Sequence, residues 1–272
     1  MTAADLSTGV LYVATGADHV AEAVQSAASV RRNAPSLPIA LITDMAPPAG
    51  AFDLVEKTSV PAYDRAVNIR ALMQSPFERT LFLDSDTYVC GDMAGVFDIL
   101  DHCDLAAVPE PTEPCFTVNP VPACFPHYNC GVLLFARNER TRRFMNLWLD
   151  TYAQHNAIGV RNLQPQAGRH KKFLRNQPSF REALFVSDVR MGGLRAEYNC
   201  RTALFNAVVG PVMILHGRHR DFASVARRLN AWTGHRLFYF VGDRCVIMPN
   251  GFQRRLASWR RRPTRRAGGI VK

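Results

Sequence analysis

Leu81-Phe-Leu-Asp-Ser-Asp86 is the segment whose residue types and spacing point most directly to chemistry. An apolar run ends in two carboxylates two positions apart. In open α/β sheets, ligands bind beyond the carboxyl ends of strands. Paired hard oxygen ligands at such a place suit a divalent cation bridging the phosphates of a substrate. The cation neutralises a leaving phosphate as its charge develops. Asp84 and Asp86 are therefore candidate metal ligands; the competing reading is two exposed turn acids, one of them capping a helix near Met93. Thr80 and Thr87 read equally well as strand-edge residues. His216 closes a late apolar run, Pro211 to His216. An imidazole beside two carboxylates favours manganese over magnesium or calcium, against the alternative of a histidine tucked into a strand end.

Other polar residues sit where apolar runs stop. Asp44 follows Ile39 to Thr43 and could accept hydrogen bonds from a ligand, or serve as a turn acid before Pro47. Thr15-Gly16 follows Gly9 to Ala14; the glycine would let a ligand approach the backbone closely, or simply make a strand-to-helix turn. Asn129 and Gly131 stand at the start of Tyr128 to Ala136. Asn129 could hydrogen-bond a bound ligand, or satisfy a neighbouring loop, and Gly131 could allow close packing.

The elements that must position these residues alternate. Gly9 to Ala14, Ile39 to Thr43 and Thr80 to Leu83 read as buried strands, with a short one within Asp53 to Val60. Helical patterns fall between them, at His19 to Arg32, with Asp18 as its expected cap, and at Asn68 to Gln74. That order predicts an α/β fold with a parallel sheet covered on both faces. The second half continues with strands at Asp104 to Val108 and Tyr128 to Ala136, an amphipathic helix over Glu139 to Gln154, and a short helix from Gln177 with Pro178 in its first turn. Extended segments follow over Val186 to Tyr198. Pro109 to Pro126, with six prolines, and Asn156 to Lys172 read as loops.

Composition sets outer limits. The chain has 272 residues, 47 % of them apolar and 21 % charged, which is a globular balance. No apolar run approaches the roughly 20 residues of a spanning helix, and Met1 to Val13 carries no basic residue of the kind that opens a signal peptide. Seven cysteines without a CxxC spacing read as reduced thiols of a cytoplasmic protein, not as a zinc site or disulfide framework. The net charge is +10, but no acid follows Asp243, and nine basic residues do; without those nine the body carries +1. The basicity belongs to a C-terminal tail, residues 244–272. Such a tail suits peripheral contact with an anionic membrane at its inner face, with Trp259 at the interface. The alternatives are a solvated run and, behind both, nucleic-acid phosphate.

Arg79-Thr-Leu-Phe-Leu-Asp-Ser-Asp-Thr-Tyr-Val89 resembles the D-x-D segment of GT-A-fold glycosyltransferases, especially the glycogenin-like and galactosyltransferase-like group classed as family 8. Further pieces agree in order: Leu11-Tyr-Val-Ala-Thr15 and Leu41-Ile-Thr-Asp44 resemble the first two strands with their nucleotide-contacting ends. Tyr128-Asn-Cys-Gly-Val-Leu-Leu-Phe135 is similar to the family's F-N-S/A-G-V-L-L-F segment, Asn176-Gln177 to its D-Q pair, and Ile214-Leu-His216 to its metal-ligand strand. The resemblance spans about residues 9 to 220. It implies one GT-A domain over residues 1–243, with a mixed, mostly parallel sheet flanked by helices. A nucleotide-binding half covers about 9–90 and an acceptor half about 104–220. It implies transfer of a sugar, with retention, from a nucleotide-diphosphate sugar such as a UDP-sugar to an acceptor hydroxyl on a glycan, a lipid-linked molecule or a small molecule. Asp84, Asp86 and His216 would hold Mn2+ or Mg2+. Thr15, Gly16, Asp44, Arg70, Asp84, Ser85 and Arg218 would contact the donor, and Gln177, Asn129 and Asp86 would stand at the reaction centre.

Three departures from the family pattern stand out. Asn176 replaces the acid of the D-Q pair. Asn68 stands where a lysine is usual, and helical spacing turns Arg70, the nearest base, elsewhere. The late motif is compressed to His216-Gly-Arg-His-Arg220, which leaves Arg218 and His219 as rival phosphate ligands. A nucleotide-sugar-binding scaffold without turnover and a D-x-D phosphatase of the haloacid-dehalogenase type are the alternatives.

Overall fold

The computed structural model describes residues 6–58, 65–163, 174–232 and 234–249. The expected membrane tail from residue 250 onward and most of the expected loop at 156–172 lie outside the described residues.

The first half alternates as its pattern predicts: β1 (Thr8–Val13), α1 (Ala17–Asn33), β2 (Ile39–Thr43), β3 (Leu54–Lys57), α2 (Arg65–Met73) and β4 (Arg79–Leu83). Then come β5 (Thr87–Val89), a 3-10 helix (Ala94–Asp101), β6 (Leu105–Pro109), β7 (Tyr128–Ala136), α3 (Glu139–Ile158), α4 (Val160–Leu163), α5 (Gln177–Val186) and β8 (Met191–Gly193). A 3-10 turn (Ala196–Tyr198) leads to β9 (Cys200–Arg201), β10 (Asn206–Val208), β11 (Ile214–His216), α6 (Phe222–Asn230), β12 (Arg236–Val241) and β13 (Arg244–Pro249).

Seven strands form the central sheet in the order β3-β2-β1-β4-β7-β6-β8. The first four are parallel, β7 runs antiparallel to both its neighbours, and β6 pairs parallel with β8. Successive side chains of a strand point to opposite faces, so an interior strand of such a sheet must be apolar throughout. Val10, Tyr12, Leu81, Leu83, Val132 and Leu134 pack against α1 and the 3-10 helix. Leu11, Phe82, Leu133 and Phe135 pack against α2, α3 and α5 on the other face. The result is the three-layer α/β architecture read from the alternating pattern.

Several local expectations are corrected. Asp18 does not cap α1: Gly16 holds the N-cap position with no side-chain bond, and Asp18 lies in the first turn. A carboxylate there still faces the positive end of the helix dipole. The helix expected to stop at Gln154 runs to Ile158, because Asn138 caps its start by accepting from Thr141 N (2.9 Å) and no breaker intervenes before Gly159. Arg244, counted with the basic tail, starts β13, so the folded part extends through Pro249. Strands β5, β9 and β10 have two or three residues each, too short to show a period.

Two small sheets complete the site side of the molecule. In β5-β11-β9, the register Val89↔Ile214, Tyr88↔Leu215, Thr87↔His216 is antiparallel. In β10-β12-β13 all pairs are antiparallel, and Phe238 and Cys245 on its inner face join a third core with Leu215, Val225 and Leu229.

Candidate active site

Strand β4 delivers Asp84 to the carboxyl end of the sheet, where its N–H donates to Gly131 O on β7 (2.8 Å). The chain turns at once: Thr87 N and Thr87 Oγ1 both donate to Asp84 O, at 3.2 and 2.8 Å. Thr87 Oγ1 continues into a buried hydroxyl chain through Ser26 Oγ (2.8 Å) to Tyr12 OH (2.8 Å). Thr87 therefore does more than end a strand; it ties the Asp-Ser-Asp turn to α1 and β1. Burial pushes the Tyr12 phenol above its ordinary range, so it stays neutral within that chain.

Pairing of β11 with β5 sets His216 opposite Thr87, next to the acids. His216 Nε2 lies 3.6 Å from Asp84 Oδ2 and 3.4 Å from Asp86 Oδ1. One ligand atom from each of the three residues falls within 4.8 Å of the others. On the far side of the ring, a hydrogen-bond chain sets the imidazole's direction. Gly131 N donates to Asn129 Oδ1 (3.0 Å), which also accepts from Asn199 Nδ2 (3.1 Å). That leaves Asn199 Oδ1 to face His216 Nδ1 at 2.8 Å. A carbonyl oxygen can only accept, so Nδ1 carries the proton donated to it. In the neutral ring the Nε2 lone pair then points at two carboxylates, an arrangement that an interposed cation turns from repulsion into coordination.

The space for a cation is kept by glycine. A Cβ on Gly131 would lie 2.4 Å from both Asp84 Oδ2 and His216 Cε1. Gly217, with φ +119, continues the turn after His216; a Cβ there would meet Thr202 Oγ1 at 2.0 Å, while its N–H donates to Asp86 O (2.9 Å). Burial works to raise the Asp86 carboxyl, but when the ring is an imidazolium its hydrogen bond and field, with Arg218 nearby, hold that carboxyl below the usual range. Two carboxylates, one imidazole of suitable tautomer and a glycine clearance fit a divalent metal ion.

Two clefts meet at this cluster. The smaller, about 260 Å³, is lined by Asp84, Asn129, Gly131, Asn176, Gln177, Arg201 and His216, with Asn68 at its edge. It brings together Asn129 and Gln177, which are 48 positions apart in sequence. Helix α5 positions Gln177: Trp148 Nε1 donates to Asn176 O (3.1 Å) and Ser179 Oγ donates to the same carbonyl (2.8 Å). Asn176 occupies the N-cap position without a side-chain cap bond. Gln177 Nε2 donates to Glu110 Oε2 (3.4 Å), and Glu110 is ion-paired with Arg201. The larger cleft, about 610 Å³, includes Ser85, Asp86, Arg218 and His219. Here Glu22 of α1 accepts from Ser85 Oγ (3.1 Å) and from Arg218 Nε and Nη2 (2.5 and 3.1 Å). Burial raises the Glu22 carboxyl, but the Arg218 contact outweighs it and keeps the acid ionised below its ordinary range. His219 Nε2 instead bonds to Asp243 O (2.9 Å).

The nucleotide candidates are placed less tightly. Asp44 Oδ1 accepts from Gly16 N (2.9 Å), so the ends of β1 and β2 hold each other with Thr15 beside them. Arg70 is exposed on α2 and lines neither cleft, whereas Asn68 does. Glu22, Glu110, Asn199 and Arg201 had no readable signal, because each acquires its neighbours only through folding. None of the seven cysteines, all within the described residues, is in a disulfide, and no helix among the described residues is long and apolar enough to cross a membrane.

No protein-family model matches the sequence, and no curated protein matches it. Solved structures do. The galactosyltransferase LgtC, in complex with donor and acceptor sugar analogs, superposes with a TM-score of 0.54 at 16 % identity, over 82 % of this chain and 94 % of that one. The glycosyltransferase GlyE from Streptococcus pneumoniae TIGR4 superposes with a TM-score of 0.51 at 16 % identity, over 84 % of this chain. This chain spans 57 % of GlyE's length. At such identities the likeness speaks for the fold, and the fold is GT-A-like, that of glycosyltransferases.

Proposed function

We propose that this chain is a metal-dependent glycosyltransferase, moving a sugar from a nucleotide-diphosphate sugar, a UDP-sugar above all, to an acceptor hydroxyl. The observation that carries the reading is the Asp84–Asp86–His216 cluster, with its Nε2 lone pair turned inward and its clearance kept by Gly131, at the carboxyl end of β4 in a GT-A-like sheet. LgtC, of like fold, is a galactosyltransferase in complex with donor and acceptor sugar analogs.

In this reading Asp84, Asp86 and His216 hold the ion, with manganese favoured by the imidazole. When bound, it supplies Lewis-acid neutralisation of the leaving diphosphate. Arg218 exchanges its bond to Glu22 for a donor phosphate, and the ends of β1 and β2 at Thr15, Gly16 and Asp44 receive the nucleoside. Asn129 uses its carbonyl internally, so its amide nitrogen is the donor available to a sugar hydroxyl in the smaller cleft. Gln177 presents a neutral amide, held by Glu110. The carboxylate lining that cleft is Asp84, already committed to the ion. Among these lining residues no carboxylate is left free for a double displacement, so with retention taken from the family resemblance a front-face path assisted by the leaving phosphate fits.

The test is a panel of nucleotide sugars scored for hydrolysis and for transfer to a panel of glycan acceptors, with and without Mn2+, and for the product anomer. Manganese-stimulated turnover of one donor, abolished in Asp86→Ala, is expected. Tight UDP binding with no turnover of any donor would instead make the chain a binding scaffold. Phosphoester hydrolysis that survives loss of His216 would favour the phosphatase reading.

A further inference from the structure

Among the described residues, the outer face of the β10-β12-β13 sheet is apolar, half-buried along its centre and exposed at its margins. Its inner face packs Phe238 and Cys245 into the third core. The opposite parity puts Leu237 across from Met248 and Tyr239 across from Val246. Phe205, 71 % exposed, lies against Tyr239 with ring centroids 4.8 Å apart. Val241 is 62 % exposed and Val209 43 %. No carboxylate projects from the described strand positions of this face, and its one charged member, Arg244, is basic. Contiguous apolar surface of this kind marks an interaction site.

Two further observations say what covers it. The next stretch of sequence, residues 250–272, has eight basic residues and no acid, with Phe252, Leu256 and Trp259 among them. Basic residues attached at the margin of an apolar surface match an anionic bilayer, which rewards both properties together. Adjoining clefts lie between the face and the active site. A cleft of about 360 Å³ lined by Val209, Leu237 and Met248 shares Ala207 with a second, of about 200 Å³, lined by Phe205, Pro109 and Glu110. That second cleft shares Asn129 and Arg201 with the small cleft beside the metal cluster.

We propose that the outer face of the β10-β12-β13 sheet seats on an anionic lipid bilayer, with Phe205 and Tyr239 at the interface. Seating there brings the adjoining clefts to the bilayer, so the acceptor class it selects is an amphipathic, lipid-linked one, its hydroxyl-bearing head reaching past Glu110 and Arg201. The seating does not depend on the reaction assigned above; the acceptor class does.

The test uses the full chain in co-sedimentation with vesicles of phosphatidylcholine alone or enriched in phosphatidylserine. Binding to the anionic vesicles only is expected. The double variant Phe205→Glu, Val241→Glu, at highly exposed positions, should lower that binding at least about ten-fold at an unchanged melting temperature. Val186→Glu, 68 % exposed on α5, should leave it unaltered. Failure of the wild-type chain to bind either vesicle overturns the proposal. So does wild-type binding by the face variant while Arg260→Gln, Arg261→Gln, Arg262→Gln loses it, since the tail then acts alone. A sedimentation mass without lipid that is dimeric in the wild-type chain and monomeric in the face variant assigns the face to a second copy and also overturns it. Nucleotide-sugar hydrolysis measured without vesicles reports on the catalytic reading separately.

Discussion

Gly131→Ala isolates the cation site from the fold. The added Cβ would lie 2.4 Å from Asp84 Oδ2 and from His216 Cε1, where ordinary contact begins at 3.4 Å. Each side chain must therefore retreat by about 1 Å, and both together, since the methyl group stands between β7 and the pair. Asp84 can yield, its side chain being 39 % exposed, whereas His216, 8 % exposed, is held by Asn199. The overpacking cost should accordingly be about 1–3 kcal/mol, toward the lower end because one neighbour can swing toward solvent. Coordination tolerates far less. Ligand distances hold within about 0.2 Å, and a misplacement of about 1 Å costs on the order of 100-fold in rate. The variant should fold, melt a few degrees lower, and lose about two orders of magnitude in manganese-supported turnover, with a matching loss of Mn2+ affinity by calorimetry. An alanine variant that binds Mn2+ and turns over donor like the wild type would refute the idea that this clearance serves a metal.

Three other expectations follow from single contacts. Asn199→Ala removes the acceptor for His216 Nδ1–H, so Mn2+ affinity should drop about 10- to 100-fold while the fold persists; unaltered affinity in a titration would show that the imidazole needs no such orientation. Glu182, buried in α5, accepts from Val118 N (2.7 Å), Asn119 N (3.1 Å) and Asn119 Nδ2 (2.7 Å), and faces His155 Nε2 at 3.0 Å. Glu182→Gln should release the Pro-rich segment, at a cost of about 1–3 kcal/mol, and speed amide exchange across residues 116–125; unchanged exchange would argue that the prolines alone hold it. Asp104 is bound by Arg190 N and Nε (3.0 Å each), Arg190 Nη2 (2.9 Å) and Asn138 Nδ2 (2.9 Å), and the Arg190 bonds chiefly hold its carboxyl down at about 2, against an ordinary 3.8. A depressed carboxyl stabilises the fold fully above the ordinary value and loses that contribution as pH falls through the depressed one. The melting temperature should thus drop between about pH 4 and pH 2, and Asp104→Asn should flatten that part of the curve; an identical slope in the variant would refute the assignment.

The alternating first half was legible because β1, β2 and β4 are interior strands, buried on both faces, and read as unbroken apolar runs between amphipathic helices. Asp84 and Asp86 stood out because an apolar strand ends in both; turn acids end strands in the same way, and it is the fold that sets His216 beside them. The segment from Pro109 to Pro126 reads as a Pro-rich loop, yet Glu110 at its start joins Gln177 to Arg201. Glu110 lies 67 positions from Gln177 and 91 from Arg201, and no local pattern encodes a pairing at that range. Arg70 stood out as a base near an expected donor position, but the turn of α2 exposes it and presents Asn68 to the cleft instead.

What the sequence determined by itself was local: which runs are buried, where they stop, and which polar residues stand at those ends. Hydrophobic periodicity and chain breakers act over a few residues, and they suffice for that. The tertiary structure decided which ends meet. The antiparallel pairing of β11 with β5 carries His216 across 130 positions to Asp86, and the close approach of β7 makes Gly131 the residue that leaves room between them. It also decided the tautomer, since only the folded chain brings Asn199 and Asn129 behind the ring. Coordination is a property of distances of a few ångströms, and those are set by strand pairing and packing between segments far apart in the chain.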